Sequence, residues 1–144
     1  MDEKIKEHLK LLNRYYLLLL DTQKLSLEEF KTDQIRQGST ERYLHLAIES
    51  CLNIGNRILA IYQFEKPIKA PETYADIFKE LRLIGVIDDD FSQRLIKMAK
   101  FRNRLVNLYW EIDVETIYAI IQEYLDDFIK FREKVVDFLK NNPL

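Results

Sequence analysis

Apolar residues recur every three or four positions through most of this sequence, and no stretch of useful length alternates apolar with polar residues. Spacings of three and four place side chains along one face of an α-helix, whereas a strand with one buried face requires alternation. The repeat is clearest near the end of the chain, at Ile117, Ile121, Tyr124, Phe128, Phe131, Val135 and Phe138. Only three glycines and three prolines are present to interrupt helices. The sequence therefore predicts an all-α protein.

Capping signals in the first half of the chain mark where helices start. The first helix is expected over residues 3–21, and its wide apolar face predicts contact with two neighbours, one of which could be a second copy of the chain. Ser26 and Glu29 have the spacing of a capping box, which predicts a short helix after Ser26. The longest helix is expected to begin near Asp33 or near Thr40, depending on whether Gly38 interrupts it, and to end near residue 64.

Further capping residues define the second half. Thr73 predicts the start of a helix that ends at residue 84, with Gly85 as its left-handed terminator. Asp90 is expected to cap the following helix, and Asp113 to cap the last one. Taken together, these segments predict a helical bundle of about five helices that forms a single domain over residues 1–144.

The apolar content and the cysteine count bound the class of protein. A chain of 144 residues, 47% of them hydrophobic, is long enough to bury a core without disulfide bonds. Cys51 is the only cysteine and is interpreted as a small core residue. The chain starts with charged residues, and the apolar run at 15–20 is far shorter than the roughly 20 residues that span a bilayer. We therefore expect a cytoplasmic protein without a membrane span.

Positive charge is concentrated in one segment of a chain whose formal net charge is −2. No Asp or Glu occurs from residue 91 to residue 110. The basic residues of this segment are Arg94, Lys97, Lys100, Arg102 and Arg104. Such a cluster favours binding to phosphate groups, although a solvated helix face is the simpler interpretation of the charge alone.

Few side chains in the sequence are suited to proton transfer at neutral pH. They are His8, His45 and Cys51, and none has an evident partner in the sequence. His45 lies among apolar neighbours and is interpreted as a structural histidine. Gly-rich phosphate loops, paired cysteines and the histidine spacings of metal sites are absent from the sequence, and helix capping accounts for the three aspartates at 88–90. Neither a metal ion nor a cofactor is expected.

The segment that begins at Arg102 resembles the signature of the HepT-like branch of the HEPN family. That signature is an arginine, four residues, a histidine, one residue and a tyrosine. Here Arg102, Asn107 and Tyr109 occupy the three positions, so that asparagine replaces the histidine. The longest predicted helix also resembles the family, because Glu49 and Asn53 match its acidic residue and the polar partner four positions later.

This resemblance implies a helical-bundle homodimer, or a higher oligomer, that acts as a metal-independent ribonuclease. It would be the toxin of a two-gene toxin–antitoxin module whose antitoxin is a minimal nucleotidyltransferase. In the family the antitoxin can silence the toxin by transferring AMP to the motif tyrosine, here Tyr109. Arg102 would hold the scissile phosphate of the RNA substrate with its two-pronged guanidinium. Lys97, Lys100 and Arg104 would contact the RNA backbone.

Asn107 is the one departure from the signature. Asparagine has no titratable group and cannot take the proton-transfer role of a histidine. The replacement could be a natural loss of activity, a family member with another proton carrier, or a deliberate change that makes a toxic protein harmless. The otherwise intact signature favours the deliberate change. The alternative function is a noncatalytic subunit that binds RNA and pairs with a nucleotidyltransferase, and a plain dimerisation subunit is a weaker third.

The spacing of the signature raises a geometric question. On a straight helix Tyr109 lies on nearly the same side as Arg102, but position 107 points about 140° away. Either the helix loosens near Asn107 or a second copy of the segment completes the pocket. We favour a composite cleft at a twofold axis, where two basic segments bracket a strand of RNA.

Overall fold

A computed structural model describes residues 1–107 and 112–144 of the chain. These residues form seven α-helices and no β-strand, which confirms the all-α prediction. None of these helices is both long and apolar enough to cross a membrane. The helices are α1 (Glu3–Gln23), α2 (Leu27–Lys31), α3 (Gln34–Tyr62), α4 (Tyr74–Leu83), α5 (Asp89–Val106), α6 (Val114–Tyr124) and α7 (Asp126–Asn141).

Most of the helix ends follow the predicted capping residues. The capping box before α2 is present in both directions, because the Ser26 hydroxyl accepts from the Glu29 amide at 3.1 Å and the Glu29 carboxylate accepts from the Ser26 amide at 3.0 Å. Thr73 forms an equivalent box with Asp76 at the start of α4. Gly85 has a φ of 90° after that helix. This is a left-handed conformation that glycine adopts at little cost, so the predicted terminator is confirmed.

The predicted cap of α5 is wrong by two residues. Asp88, not Asp90, caps the helix, and its carboxylate accepts from the amide of Phe91 at 2.8 Å. Asp89 and Asp90 therefore lie in the first turn, where their charges favour the positive end of the helix dipole. The three aspartates are thus accounted for as a cap and a first turn.

The longest helix takes the earlier of its two predicted starts. Asp33 caps α3 by accepting from the amide of Arg36 at 2.9 Å, and the helix continues through Gly38 to Tyr62. One glycine costs a helix only about 1 kcal/mol, and the apolar contacts of α3 offset that cost. The helix contacts α1, α2, α4, α5 and α7, so it is the central helix of the bundle.

The predicted last helix is two helices. α6 ends at Tyr124 and α7 starts at Asp126. Leu125 between them keeps helical torsion angles, with φ −60° and ψ −38°. The apolar stripe therefore continues through the junction, and its spacing alone cannot reveal the break. This division adds a helix to those predicted, whereas the short α2 was itself predicted from its capping box.

Two glycines of α3 are expected to respond in opposite ways to replacement by alanine. A methyl group on Gly38 would meet no atom within 4 Å, so Gly38→Ala should raise the free energy of unfolding by about 0.5–1 kcal/mol. At Gly55 the added carbon would lie 2.6 Å from Cγ2 of Ile77 and 3.0 Å from Cδ1 of Leu81. Because α4 would have to shift, Gly55→Ala should lower the free energy of unfolding by about 1–3 kcal/mol. Urea unfolding measures the free energy of unfolding of both variants. If the two replacements changed it in the same direction, the close contact between α3 and α4 at Gly55 would be contradicted.

Candidate functional site

Arg102 projects from α5 and is held against α3 and α4. Its Nε donates a hydrogen bond to Oε1 of Glu49 on α3. Its guanidinium carbon lies 4.6 Å from the ring centre of Tyr74, at the start of α4. The side chain is 18% exposed, so its direction is set by these contacts. Nη1 donates a long hydrogen bond of 3.4 Å to Oδ1 of Asn103. The N–H groups that are not used in these contacts are the ones that could bind an anion.

His45 lies one turn before Glu49 on α3. Its Nε2 is 3.3 Å from Oε1 of Glu49, the same oxygen that accepts from Arg102. An imidazole, a carboxylate and a guanidinium are therefore in direct succession between α3 and α5. The apolar neighbours of His45 in the sequence suggested a structural role, whereas its four-residue spacing from Glu49 is the signal for this contact.

A polar groove of about 500 Å³ runs between α3 and α4 beside this cluster. Glu49 lines it at one point, and so does Asn53, the polar partner predicted from the sequence. Asn53 is exposed, and the amides of Asn56 and Asn103 also face the groove. The structure therefore places Glu49 and Asn53 on the same face of α3, next to Arg102.

Within the described part of the chain, the basic residues of α5 fall into two groups, those that pair with a carboxylate of another helix and those that do not. Arg94 belongs to the packing between helices, because its Nε and Nη2 donate to the carboxylate of Asp127 at 3.0 to 3.3 Å. That carboxylate comes from α7 and is buried, at 7% exposure. The guanidinium of Arg94 also lies 4.7 Å from the ring centre of Tyr124. Arg94 thus ties α5 to the junction of α6 and α7.

Lys97, Lys100 and Arg104 form an exposed stripe on α5. They take part in none of the ion pairs formed within the described residues. At about 100° per residue the three lie on one side of the helix, and Arg102 lies about 160° around the axis from Arg104. Within one chain, the stripe and Arg102 therefore face different sides of α5.

The helix carrying Arg102 ends directly before the second signature position. α5 stops at Val106, and Asn107 is extended, with φ −90° and ψ 110°. Of the two alternatives that the spacing leaves open, the structure shows the first, because the helix ends before Asn107 and the separation expected on a straight helix does not apply. The favoured composite cleft between two copies stays a prediction. Tyr109, the third signature residue, lies outside the described residues. The chain is described again from residue 112, and Asp113 caps α6 as predicted, accepting from the amide of Thr116 at 2.8 Å.

Two other candidates for chemistry are accounted for by the structure. Cys51 is fully buried in the core, and burial raises the pKa of its thiol, which disfavours the reactive thiolate. The interpretation of Cys51 as a core residue is confirmed. Within residues 1–107 and 112–144, no three His, Cys, Asp or Glu side chains are grouped in a way that could hold a metal ion.

An all-helical bundle with a carboxylate-paired arginine near the end of α5 has the architecture of HEPN proteins. Within that class, the family model described as Ribonuclease HepT-like matches residues 5–135. The chain therefore belongs to the HepT-like family, as the resemblance of its sequence implies.

Two curated relatives are nucleases of this family. The mRNA nuclease HepT of Shewanella oneidensis is 29% identical over 112 residues, which is 78% of this chain and 78% of that protein. The tRNA nuclease HepT of Aphanizomenon flos-aquae is 24% identical over 137 residues, or 94% of this chain and 89% of that protein. The two relatives differ in the RNA for which they are named.

Solved structures show the same fold. The tri-AMPylated HEPN toxin of Shewanella oneidensis, in complex with its MNT antitoxin, has a TM-score of 0.84 and 25% identity, and the match covers 95% of this chain and 99% of that one. YutE of Bacillus subtilis, described as a cytosolic protein of unknown function, has a TM-score of 0.81 and 22% identity, with 96% and 90% of the two chains covered.

Proposed function

We propose that this protein is a metal-independent ribonuclease, the toxin of a toxin–antitoxin module, in a form whose activity is reduced by Asn107. The observation that carries the proposal is the contact of Arg102 with Glu49 at the family signature. A carboxylate that binds Nε fixes the side chain and leaves N–H groups of the guanidinium for an anion. Membership of a family whose curated relatives are RNA nucleases supports the same activity.

RNA cleavage without a metal ion has three chemical requirements. A proton must leave the 2′-hydroxyl, a proton must reach the departing oxygen, and positive charge must face the phosphate. Arg102 meets the last requirement, since a guanidinium keeps its charge at any working pH. Asn107 cannot meet the first two. On the loss of general acid and base catalysis alone, the rate should fall about 100-fold to 10,000-fold.

A homodimer would bring the two basic features together. Because the lysine-bearing stripe and Arg102 lie on different sides of α5, one chain alone cannot direct both at the same short stretch of RNA. In a twofold arrangement, the stripe of one copy can lie along the RNA strand whose phosphate is held by Arg102 of the other. The stripe would then make salt-sensitive backbone contacts and would read no bases.

The partner in this proposal is a minimal nucleotidyltransferase antitoxin that adenylylates Tyr109. The support comes from the relative whose structure is described as AMPylated and bound to an MNT antitoxin. AMP on Tyr109 would add a negative phosphate and a bulky base two residues after Asn107. Both additions oppose the entry of RNA, the first by repulsion and the second by occupying space.

The alternative is a noncatalytic subunit that binds RNA and orients the substrate of a partner nucleotidyltransferase. Asn107 favours this function if it is the natural residue. The two functions share the basic stripe and differ in whether the bond in RNA is cut.

Removing the charge of the stripe should weaken RNA binding in a salt-dependent manner. We expect the triple variant Lys97→Gln, Lys100→Gln, Arg104→Gln to bind single-stranded RNA more weakly, with the slope of log K against log salt reduced by about 0.7 per lost contact. Fluorescence anisotropy at several salt concentrations measures this slope, and RNA cleavage in EDTA should fall with binding.

The matched control removes three lysines from α7, in the variant Lys130→Gln, Lys134→Gln, Lys140→Gln. It changes the net charge by the same amount and replaces no residue of α5, although it removes the contact of Lys130 with the ring of Phe91. If both triple variants lost the same affinity and slope, binding would follow total charge and the stripe would have no particular role.

A further inference from the structure

His45 is the histidine of this chain that touches the candidate site. The chain has two histidines. His8 lies near the start of α1, and His45 lies on α3 with Nε2 at 3.3 Å from Glu49. The side chain of His45 is 19% exposed, so it is neither sealed in the core nor free on the surface. The imidazole is thus in contact with the carboxylate that holds Arg102.

We propose that His45 transfers the proton in RNA cleavage by the Asn107 form, an inference that rests on the proposed function. When Nε2 carries the proton it donates to Oε1 of Glu49, and Nδ1 is then the acceptor. No hydrogen bond within the described residues engages Nδ1. A carboxylate bound to one ring nitrogen fixes the tautomer and stabilises the imidazolium that forms when the other nitrogen takes a proton.

In the proposed reaction one imidazole acts first as the general base and then as the general acid. Nδ1 of His45 takes the proton of the ribose 2′-hydroxyl, and the 2′-oxygen forms a bond to the phosphorus. The bond from the phosphorus to the 5′-oxygen breaks, and that oxygen receives the proton from the imidazolium. The products are a 2′,3′-cyclic phosphate and a 5′-hydroxyl, and His45 returns to its neutral form. Arg102 faces the negative charge that builds on the phosphate oxygens.

The same cluster links proton transfer to phosphate binding. With His45 neutral, the charges of Glu49 and Arg102 cancel, and with His45 protonated the three groups together carry one positive charge. Because Oε1 of Glu49 serves both neighbours, the imidazolium competes with Arg102 for that oxygen. Protonation of His45 during the reaction therefore increases the positive charge facing the phosphate as its negative charge grows.

Glu49 acts in this proposal as a positioning residue. It touches neither the ribose nor the phosphate, and it orients the two groups that do. This assignment gives Glu49 a role that the packing of α3 against α5 alone does not require.

The test compares the cleavage of a single-stranded RNA in EDTA by six proteins: the unchanged chain, His45→Ala, His8→Ala, Arg102→Gln, Asn107→His and the double variant His45→Ala, Asn107→His. In the Asn107 background His45→Ala should lower kcat about 100-fold or more with little change in KM. His8→Ala should match the unchanged chain, and Arg102→Gln should lose cleavage. Free imidazole should restore part of the rate of His45→Ala and none of the rate of Arg102→Gln.

The double variant separates chemistry from folding. In it, the new imidazole at position 107 carries the proton, so the loss caused by His45→Ala should be far smaller than in the Asn107 background. A loss of equal size in both backgrounds, without rescue by imidazole, would assign His45 a structural role and overturn the inference.

The remaining outcomes distinguish this inference from the proposed function. If the unchanged chain cleaves RNA and needs Arg102 but not His45, the function stands and His45 is not the proton carrier. If only Asn107→His cleaves RNA, the protein is a ribonuclease inactivated by Asn107, and the proposed role of His45 is wrong. If no variant with Arg102 cleaves RNA, both are overturned.

Discussion

Replacing Asn107 by histidine is expected to raise the rate of metal-free RNA cleavage by about 100-fold to 10,000-fold. The variant restores a group that can accept and donate a proton near neutral pH, at a position where α5 has ended and the backbone is extended. Arg102 and Glu49 of the candidate site are already in contact. Single-turnover cleavage of a labelled RNA in EDTA measures the gain.

Asn107→Gln is the matched control for this gain. Glutamine changes the side chain at the same position but supplies no titratable group, so its cleavage rate should stay at that of the unchanged chain. A noncatalytic RNA-binding subunit would gain nothing from either replacement. An Asn107→His protein that binds RNA normally and cuts none would therefore exclude the ribonuclease and favour the alternative function.

Replacing Tyr109 by phenylalanine is expected to abolish AMP transfer from the partner nucleotidyltransferase. Phenylalanine keeps the aromatic ring and removes the hydroxyl oxygen that would bond to the α-phosphate of ATP. The purified chain would be incubated with its antitoxin and ATP, and intact mass spectrometry would count the AMP units added. In the Asn107→His background, adenylylation of the intact tyrosine should stop RNA cleavage, and Tyr109→Phe should leave cleavage insensitive to the antitoxin.

Tyr74 provides a control for this modification. Its ring lies against Arg102, and the residue is 40% exposed, so it is a second tyrosine hydroxyl close to the site. Tyr74→Phe should accept AMP as the unchanged chain does. Transfer that survived in Tyr109→Phe but was lost in Tyr74→Phe would place the modification at the start of α4 and contradict the proposal.

The sequence predicted the helices well where a short-range interaction sets them. The capping box at Ser26, the caps at Thr73 and Asp113 and the left-handed Gly85 all depend on residues a few positions apart. Leu125 is the contrasting case, since its helical torsions keep the apolar stripe in phase across the break. A repeat that is continuous in the sequence therefore gave no sign of two helices.

The site was predicted in part, and the missing part depends on contacts between helices. Arg102 and Glu49 were recognised separately by resemblance, but their hydrogen bond spans 53 positions of the sequence. His45 has apolar neighbours in the sequence, but the fourth residue after it, Glu49, is the carboxylate that contacts Arg102. Arg94 was counted with the phosphate-binding cations until α7 supplied Asp127 as its partner.

By itself, the sequence determined the all-α class, the family and the side chains available for chemistry, because periodicity, caps and signature spacing are local properties of the chain. Only the tertiary structure decided which of those side chains act together. It paired Arg94 with a buried carboxylate of α7, separated the exposed stripe from Arg102 around α5, and placed His45 and Arg102 on one carboxylate oxygen. The physical reason is that a charged group takes its role from the nearest opposite charge, and in this protein the decisive charges come from other helices.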